Sequence, residues 1–134
     1  MKTAFTVSTL LPADPEKVFR AWVSTEGHTA MTGSPAKVVP RVGGTFTAWD
    51  GYITGKTLEL RPFSRIVQAW RTSEFAEEDP DSRIEVLIEP AKGGAKLTLR
   101  HSNIPKGQAE SYESGWEESY FAPMRTYFSA LPSS

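Results

Sequence analysis

His101, Tyr112 and Tyr120 are the side chains of this sequence best suited to chemistry in an apolar setting. His101 shares its parity with Leu97 and Leu99 along an alternating run, so the three face one side of a strand. An imidazole in an apolar pocket can orient a ligand or shuttle a proton near neutral pH. It can equally be satisfied by a backbone carbonyl or a tyrosine hydroxyl, the commoner fate of a buried polar side chain. Tyr112 and Tyr120 pose the same choice, since a buried hydroxyl needs a partner in ligand, solvent or backbone. With them go Trp22, Phe46, Trp70, Trp116 and Met124. Such a set either lines a cavity or fills a core, and each buried aromatic is worth ~2–3 kcal/mol by transfer alone.

Other chemistries find little support. Gly43-Gly44 leads into a strand and lacks a following Gly-Lys-Ser/Thr, so it is no phosphate-binding loop. His28 and His101 are far apart in sequence, so neither a metal site nor any other cofactor is expected. His101-Ser102-Asn103 is contiguous on one strand, whose successive side chains point to opposite faces, and cannot act as a triad. There is no cysteine, which excludes disulfides and thiolate catalysis. A net charge of −1 gives no reason to expect nucleic acid or an anionic membrane as partner. No apolar run approaches the ~20 residues of a membrane span. Met1 to Phe5 has one lysine and no sustained apolar run behind it, so the expectation is a cytoplasmic protein without a secretory signal.

The elements that must position these side chains follow from patterning. Thr3 to Leu11 alternates and predicts a strand. Asp14 and Pro15 predict a helix start, with Val18, Phe19, Ala21, Trp22 and Val23 as its buried side. Ser24-Thr25-Glu26 predicts a second, short helix ending near Met31 to Gly33. A short edge strand falls within Pro35 to Pro40. Strands over Thr45 to Trp49 and Tyr52 to Leu60 are joined by Asp50-Gly51, a dipeptide favoured by two-residue hairpin turns. Further strands span Arg65 to Arg71, Ile84 to Glu89 and Ala95 to Ser102. Glu74 to Ser82 is acidic, contains Pro80 and predicts an exposed loop, near which Arg71 and Glu74 could pair. From Ile104 to Leu131, Tyr112, Trp116, Tyr120, Met124 and Tyr127, with Phe121 and Phe128 beside them, recur at helical spacing and share one broad face.

The fold class is therefore α+β: a curved antiparallel sheet of about six or seven strands wrapped around a long C-terminal helix, with two short helices after the first strand. Residues 1–134 suffice for one domain. Five stretches, in this order, resemble the activator-of-heat-shock-protein-90-ATPase homologue family. They are the opening helix from Ala13 to Trp22, the glycine-led strand Val42-Gly43-Gly44-Thr45-Phe46, the hairpin Gly55 to Ile66 with Trp70, the last strand Gly94 to His101, and Gly115-Trp116. That family lies within the SRPBCC superfamily of START-like, pollen-allergen-like helix-grip folds. The resemblance implies a helix-grip fold. It also implies kinship with lipid carriers, hydrophobic-ligand receptors and aromatic cyclases. The eukaryotic namesake, a two-domain protein, stimulates a chaperone ATPase. Two departures stand out. Pro123 falls inside the final helix, where it must kink the helix or mark a boundary of its regular part. Met31 to Pro35 lacks the tryptophan that many relatives carry, and Met31 could leave more room at a cavity mouth.

Three functions are compatible with these residues. One is a small protein holding a hydrophobic or aromatic, lipid-like or polyketide-like molecule between sheet and helix. Trp22, Phe46, Trp70, His101, Trp116, Tyr120 and Met124 would line that site. Another is a cyclase- or hydrolase-type enzyme using His101 as acid and base, which needs a second convergent polar group. A third is a co-chaperone-like or stress-response interaction module acting through its surface. A homodimer is compatible with an exposed edge strand.

Overall fold

The computed structural model describes residues 3–130. Met1, Lys2 and Leu131, the last residue of the aromatic stretch, lie outside the described residues. Seven strands alternate along the chain with their turns: β1 (Phe5–Leu11), β2 (Lys37–Val38), β3 (Thr45–Ala48), β4 (Ile53–Arg61), β5 (Arg65–Thr72), β6 (Ser82–Ala91) and β7 (Gly94–Ser102). They form one antiparallel sheet in the order β1-β7-β6-β5-β4-β3-β2. The first two strands thus occupy opposite edges. The chain crosses between them through helices α1 (Pro15–Trp22) and α2 (Thr25–Thr32).

Both short helices are bounded as their sequences dictate. The Asp14 carboxylate accepts from the Lys17 N–H at 2.9 Å, and Pro15 takes the first helical position, where its missing N–H costs nothing. The Ser24 hydroxyl accepts from the Gly27 N–H at 3.0 Å. Gly33 ends α2 in the left-handed region, φ 78°. The Asp50-Gly51 turn forms as expected: both residues have positive φ, and the Tyr52 N–H donates to the Trp49 carbonyl at 3.1 Å. Leu58 is the extra residue of a β-bulge between β4 and β5, which leaves it exposed.

The C-terminal helix departs from regularity where Pro123 requires it. Helix α3 (Ala109–Gly115) passes into a π-helical segment (Trp116–Phe121), and α4 (Ala122–Ala130) follows. Pro123 cannot donate to the Ser119 carbonyl. One residue earlier, the Ala122 N–H already reaches back five residues to the Glu117 carbonyl. The wider turn also answers a pattern in the sequence. Tyr112, Trp116, Tyr120, Met124 and Phe128 are spaced four apart, and all are buried. On a 3.6-residue helix each such step drifts about 40°, so four steps would carry Phe128 roughly 160° around from Tyr112. The π segment takes back part of that drift and keeps the row against the sheet. Phe128 is buried, whereas Tyr127 is only half-buried.

Two loop expectations are corrected. Glu74 to Ser82 is not uniformly exposed: Phe75 is buried against Trp70 and Tyr112, and Ser82 belongs to β6. An apolar residue inside an acidic run plugs the end of the core. Arg71 pairs with Asp81 at 2.8 Å rather than with Glu74, whose carboxylate accepts from the Tyr52 hydroxyl.

Gly55 illustrates how tightly β3, β4 and β5 close. A Cβ there would lie 2.0 Å from the Ala69 carbonyl oxygen and 2.6 Å from the Phe46 ring. Gly55→Ala is therefore expected to cost about 2–3 kcal/mol through overpacking, read as a fall in urea-denaturation midpoint. An unchanged midpoint would refute that packing.

Candidate functional site

A cavity of about 260 Å³ opens between the β3–β4 end of the sheet and the C-terminal helix. Trp49, Tyr52, Ile53 and Trp70 line it from the sheet side; Tyr112, Gly115, Trp116, Ser119 and Tyr120 line it from the helix. The volume is just below the ~300 Å³ at which drug-sized sites begin, and suits a small, flat apolar molecule. No lining residue is charged.

Of the residues singled out by sequence, Trp70, Trp116 and Tyr120 line this space. Trp22 stands behind them, stacked on Trp116 with ring centroids 6.2 Å apart and tilted against Tyr120 at 5.4 Å. His101 is wholly buried one layer back, 4.5 Å from the Trp70 ring centre. Phe46 and Met124 are buried and lie outside the lining. Met31 is fully buried as well, so the cavity mouth is not at the end of α2.

His101 has no nitrogen to spare. The Trp116 indole N–H donates to Nδ1 at 3.1 Å, so Nδ1 must be unprotonated. The proton of the neutral ring then sits on Nε2, which donates to the Ser82 hydroxyl at 2.9 Å. Ser82 in turn donates to the Trp70 carbonyl at 2.6 Å. A Ser82–His101 pair looks like a nucleophile and its base, but a base needs Nε2 as acceptor. That would put a proton on Nδ1 facing the indole N–H, two donors against each other. The pair is therefore a structural brace for the two tryptophans.

His28 forms a second brace with the opposite tautomer. The Trp22 carbonyl, 2.8 Å from Nδ1, can only accept, so Nδ1 carries the proton. Nε2 is left to accept from the Tyr120 hydroxyl at 2.8 Å. Full burial drives the Tyr120 hydroxyl pKa far above its ordinary value, keeping the proton in place. Tyr112 is likewise engaged internally, donating to Gln108 at 2.5 Å with Thr72 at 2.7 Å. Neither tyrosine hydroxyl turns to backbone: Tyr120 pairs with His28, 92 positions away, and Tyr112 with Gln108 four residues back and with the distant Thr72. Gln68 accepts from the Trp22 indole and donates to Thr57, each at 3.2 Å.

Sequence reasoning missed His28, Gln68, Trp49, Tyr52, Gly115 and Ser119. For His28 a signal existed: with Met31 and Thr32 it makes an i, i+3, i+4 face on α2. Trp49 carries two local costs. Its φ is 50°, in the left-handed region that bulky residues rarely enter. Its indole nitrogen is the one buried side-chain polar atom without a partner among the described residues. Also among the described residues, no group of three potential metal ligands comes together, and no helix is long and apolar enough to cross a membrane.

Burial holds both imidazoles neutral, pulling the pKa of His28 down to about 4 and that of His101 to about 3, with the Trp22 carbonyl partly offsetting the effect at His28. The unfolded chain takes up these protons near pH 6.5 while the folded one does not. Stability is thus fully present above about pH 7 and is lost as pH falls through 6 toward 4. Between pH 6 and 4.5 each imidazole contributes a slope of about 1 kcal/mol per pH unit. Denaturant melts at stepped pH should show it, and a flat profile from pH 7.5 to 4.5 would refute buried, neutral histidines.

Comparisons with known proteins agree with this architecture. The family model described as Activator of Hsp90 ATPase homolog 1-like protein matches residues 12–129. The human Activator of 90 kDa heat shock protein ATPase homolog 1 is 28% identical over 114 residues, 85% of this chain and 33% of its own length. Mouse homolog 2 is 25% identical over 122 residues, 91% of this chain and 37% of its own. The chain thus spans about a third of the length of these curated relatives. Among solved structures, PFC0360w from Plasmodium falciparum, described as an HSP90 activator, superposes with a TM-score of 0.85 at 28% identity, covering 93% of this chain and 95% of that one. DynU16, from the dynemicin biosynthetic locus, reaches a TM-score of 0.80 at 14% identity, over 97% of this chain and 48% of its own, a likeness of fold alone. The family-model match over residues 12–129, on a chain folded as a seven-stranded antiparallel helix-grip sheet, places this chain in the family of Activator of Hsp90 ATPase homolog 1-like proteins.

Proposed function

We propose that this protein binds a small apolar or aromatic molecule in the cavity between its sheet and C-terminal helix. The observation that carries the reading is Gly115. It sits within the helix at φ −62°, ψ −36°, where any residue fits, and a Cβ there would meet nothing within 4 Å. Glycine costs about 0.8–1 kcal/mol relative to alanine at such a position. Here it keeps one wall of an aromatic-lined space open. The acid–base alternative finds no support at His101, whose ring nitrogens are both engaged.

The neutral dye N-phenylnaphthylamine, which fluoresces when its surroundings become apolar, tests the proposal. Saturable binding is expected with the protein as it stands. Gly115→Leu should fill the cavity and weaken binding by about tenfold or more, while raising the melting temperature through better helix propensity. Dye binding that is absent, or indifferent to this substitution, would sink the idea.

A second reading rests on a separate observation, the likeness to proteins described as Hsp90 activators, one of which matches along 95% of its chain. We propose a chaperone partner on that basis, contacted through the outer surface. If so, adding the protein in excess should raise ATP turnover by a cognate Hsp90. An unchanged rate, where a known activator raises it, would remove this reading.

A further inference from the structure

We infer that the ligand is an uncharged aromatic molecule bearing a carbonyl acceptor, which lies over Gly115 and accepts a hydrogen bond from the Ser119 hydroxyl. The inference rests on the ligand-binding reading above and narrows its chemistry.

Polar groups around the cavity are mostly spoken for. The Tyr52 hydroxyl donates to Glu74, Tyr112 to Gln108 and Tyr120 to His28, and the Trp116 indole donates to His101. Ser119 is different. It lines the cavity, it is half-buried, and its hydroxyl makes no hydrogen bond among the described residues. A serine inside a helix commonly bonds back to the carbonyl four residues earlier. Ser119 lies in the π-helical segment and does not do so. That carbonyl belongs to Gly115, so the free hydroxyl and the gap left by the missing Cβ share one face of the helix, one turn apart. Segments of this kind are frequent at functional sites.

Two further observations set the ligand's charge and polarity. No cation lines the cavity, and the Glu74 carboxylate sits on Tyr52 at its rim. A carboxylate taken into this space would be buried without a counter-charge, which is strongly disfavoured. Both unpaired polar side chains of the lining, the Ser119 hydroxyl and the shielded Trp49 indole N–H, can donate. A ligand acceptor complements that lining better than a ligand donor does.

Three naphthalenes of similar size separate the possibilities when each competes with bound N-phenylnaphthylamine: acetonaphthone, ethylnaphthalene and naphthoate. The ketone should displace the dye at about three- to tenfold lower concentration than the hydrocarbon, the worth of one net hydrogen bond. Naphthoate should be weaker than both. In Ser119→Ala the ketone should fall to the level of the hydrocarbon. Equal potency of ketone and hydrocarbon in the unaltered protein, or a ketone preference that survives Ser119→Ala, overturns the assignment to Ser119. Continued displacement by ethylnaphthalene would then show that the apolar site itself stands. Naphthoate binding most tightly overturns the neutral-ligand assignment. Failure of the dye and all three compounds to bind overturns the ligand-binding reading and this inference with it.

Discussion

The interior between sheet and helix depends on two imidazoles that stay neutral and keep opposite tautomers. Each receives one hydrogen bond from the C-terminal helix: His28 from the Tyr120 hydroxyl, His101 from the Trp116 indole. One acceptor is on α2 and the other on β7, so the helix is docked at two points onto different elements. A shift of one residue along its axis would leave two donors and two acceptors buried without partners. Each orphan costs on the order of 1–3 kcal/mol. Apolar burial presses the helix onto the sheet but is non-directional. These two bonds choose the register.

That register also sets the shape of the helix. Trp116 and Tyr120 lie four apart and must reach partners on the same side, while Tyr112 behind them and Met124 and Phe128 ahead pack there too. A straight α-helix would rotate the ends of such a row off the sheet. The π-helical segment holds the row in place, and Pro123 follows two residues after it, in the first turn of α4, with no N–H of its own to leave unpaired. On the outer side the Arg125 guanidinium bonds Thr9 of β1 at 2.8 Å and pairs with Glu117, tying the segment to the sheet edge. A proline that would damage an ordinary helix thus fits one that is already widened.

Most of the fold was legible because it is written in local terms. Strand parity put His101 on the face of Leu97 and Leu99, Asp14 and Ser24 announced two helix starts, and Asp50-Gly51 announced a hairpin. What stayed hidden depends on long-range pairing. His28 and Tyr120 are 92 positions apart, and nothing local to either names the other. The tautomer of His101, which separates a brace from a catalytic base, follows only from knowing that an indole N–H stands at Nδ1. The cavity was legible as an expectation of architecture, but its wall was not. Gly115 announces itself by an absence, and Trp49 reaches the site only because the turn after β3 carries it into left-handed backbone.

Several breaches of local preference gather at the cavity. A left-handed tryptophan with an unpartnered indole, a glycine inside a helix, a serine without its usual backbone bond and a π-helical turn all border the same space. Breaches occur elsewhere too: Phe63 has a positive φ of 65°, and α3 starts without a side-chain cap. The cluster supports the proposal that the cavity binds a ligand, since local rules are commonly broken at functional sites. It also bears on how the two functional readings relate. A chaperone partner would contact the outer surface and has no use for an open interior wall, whereas a small ligand has no use for the outside. The cavity is an interior feature, whereas the likeness to Hsp90 activators spans 93% of the chain, so a ligand test and an ATPase test decide the two readings separately.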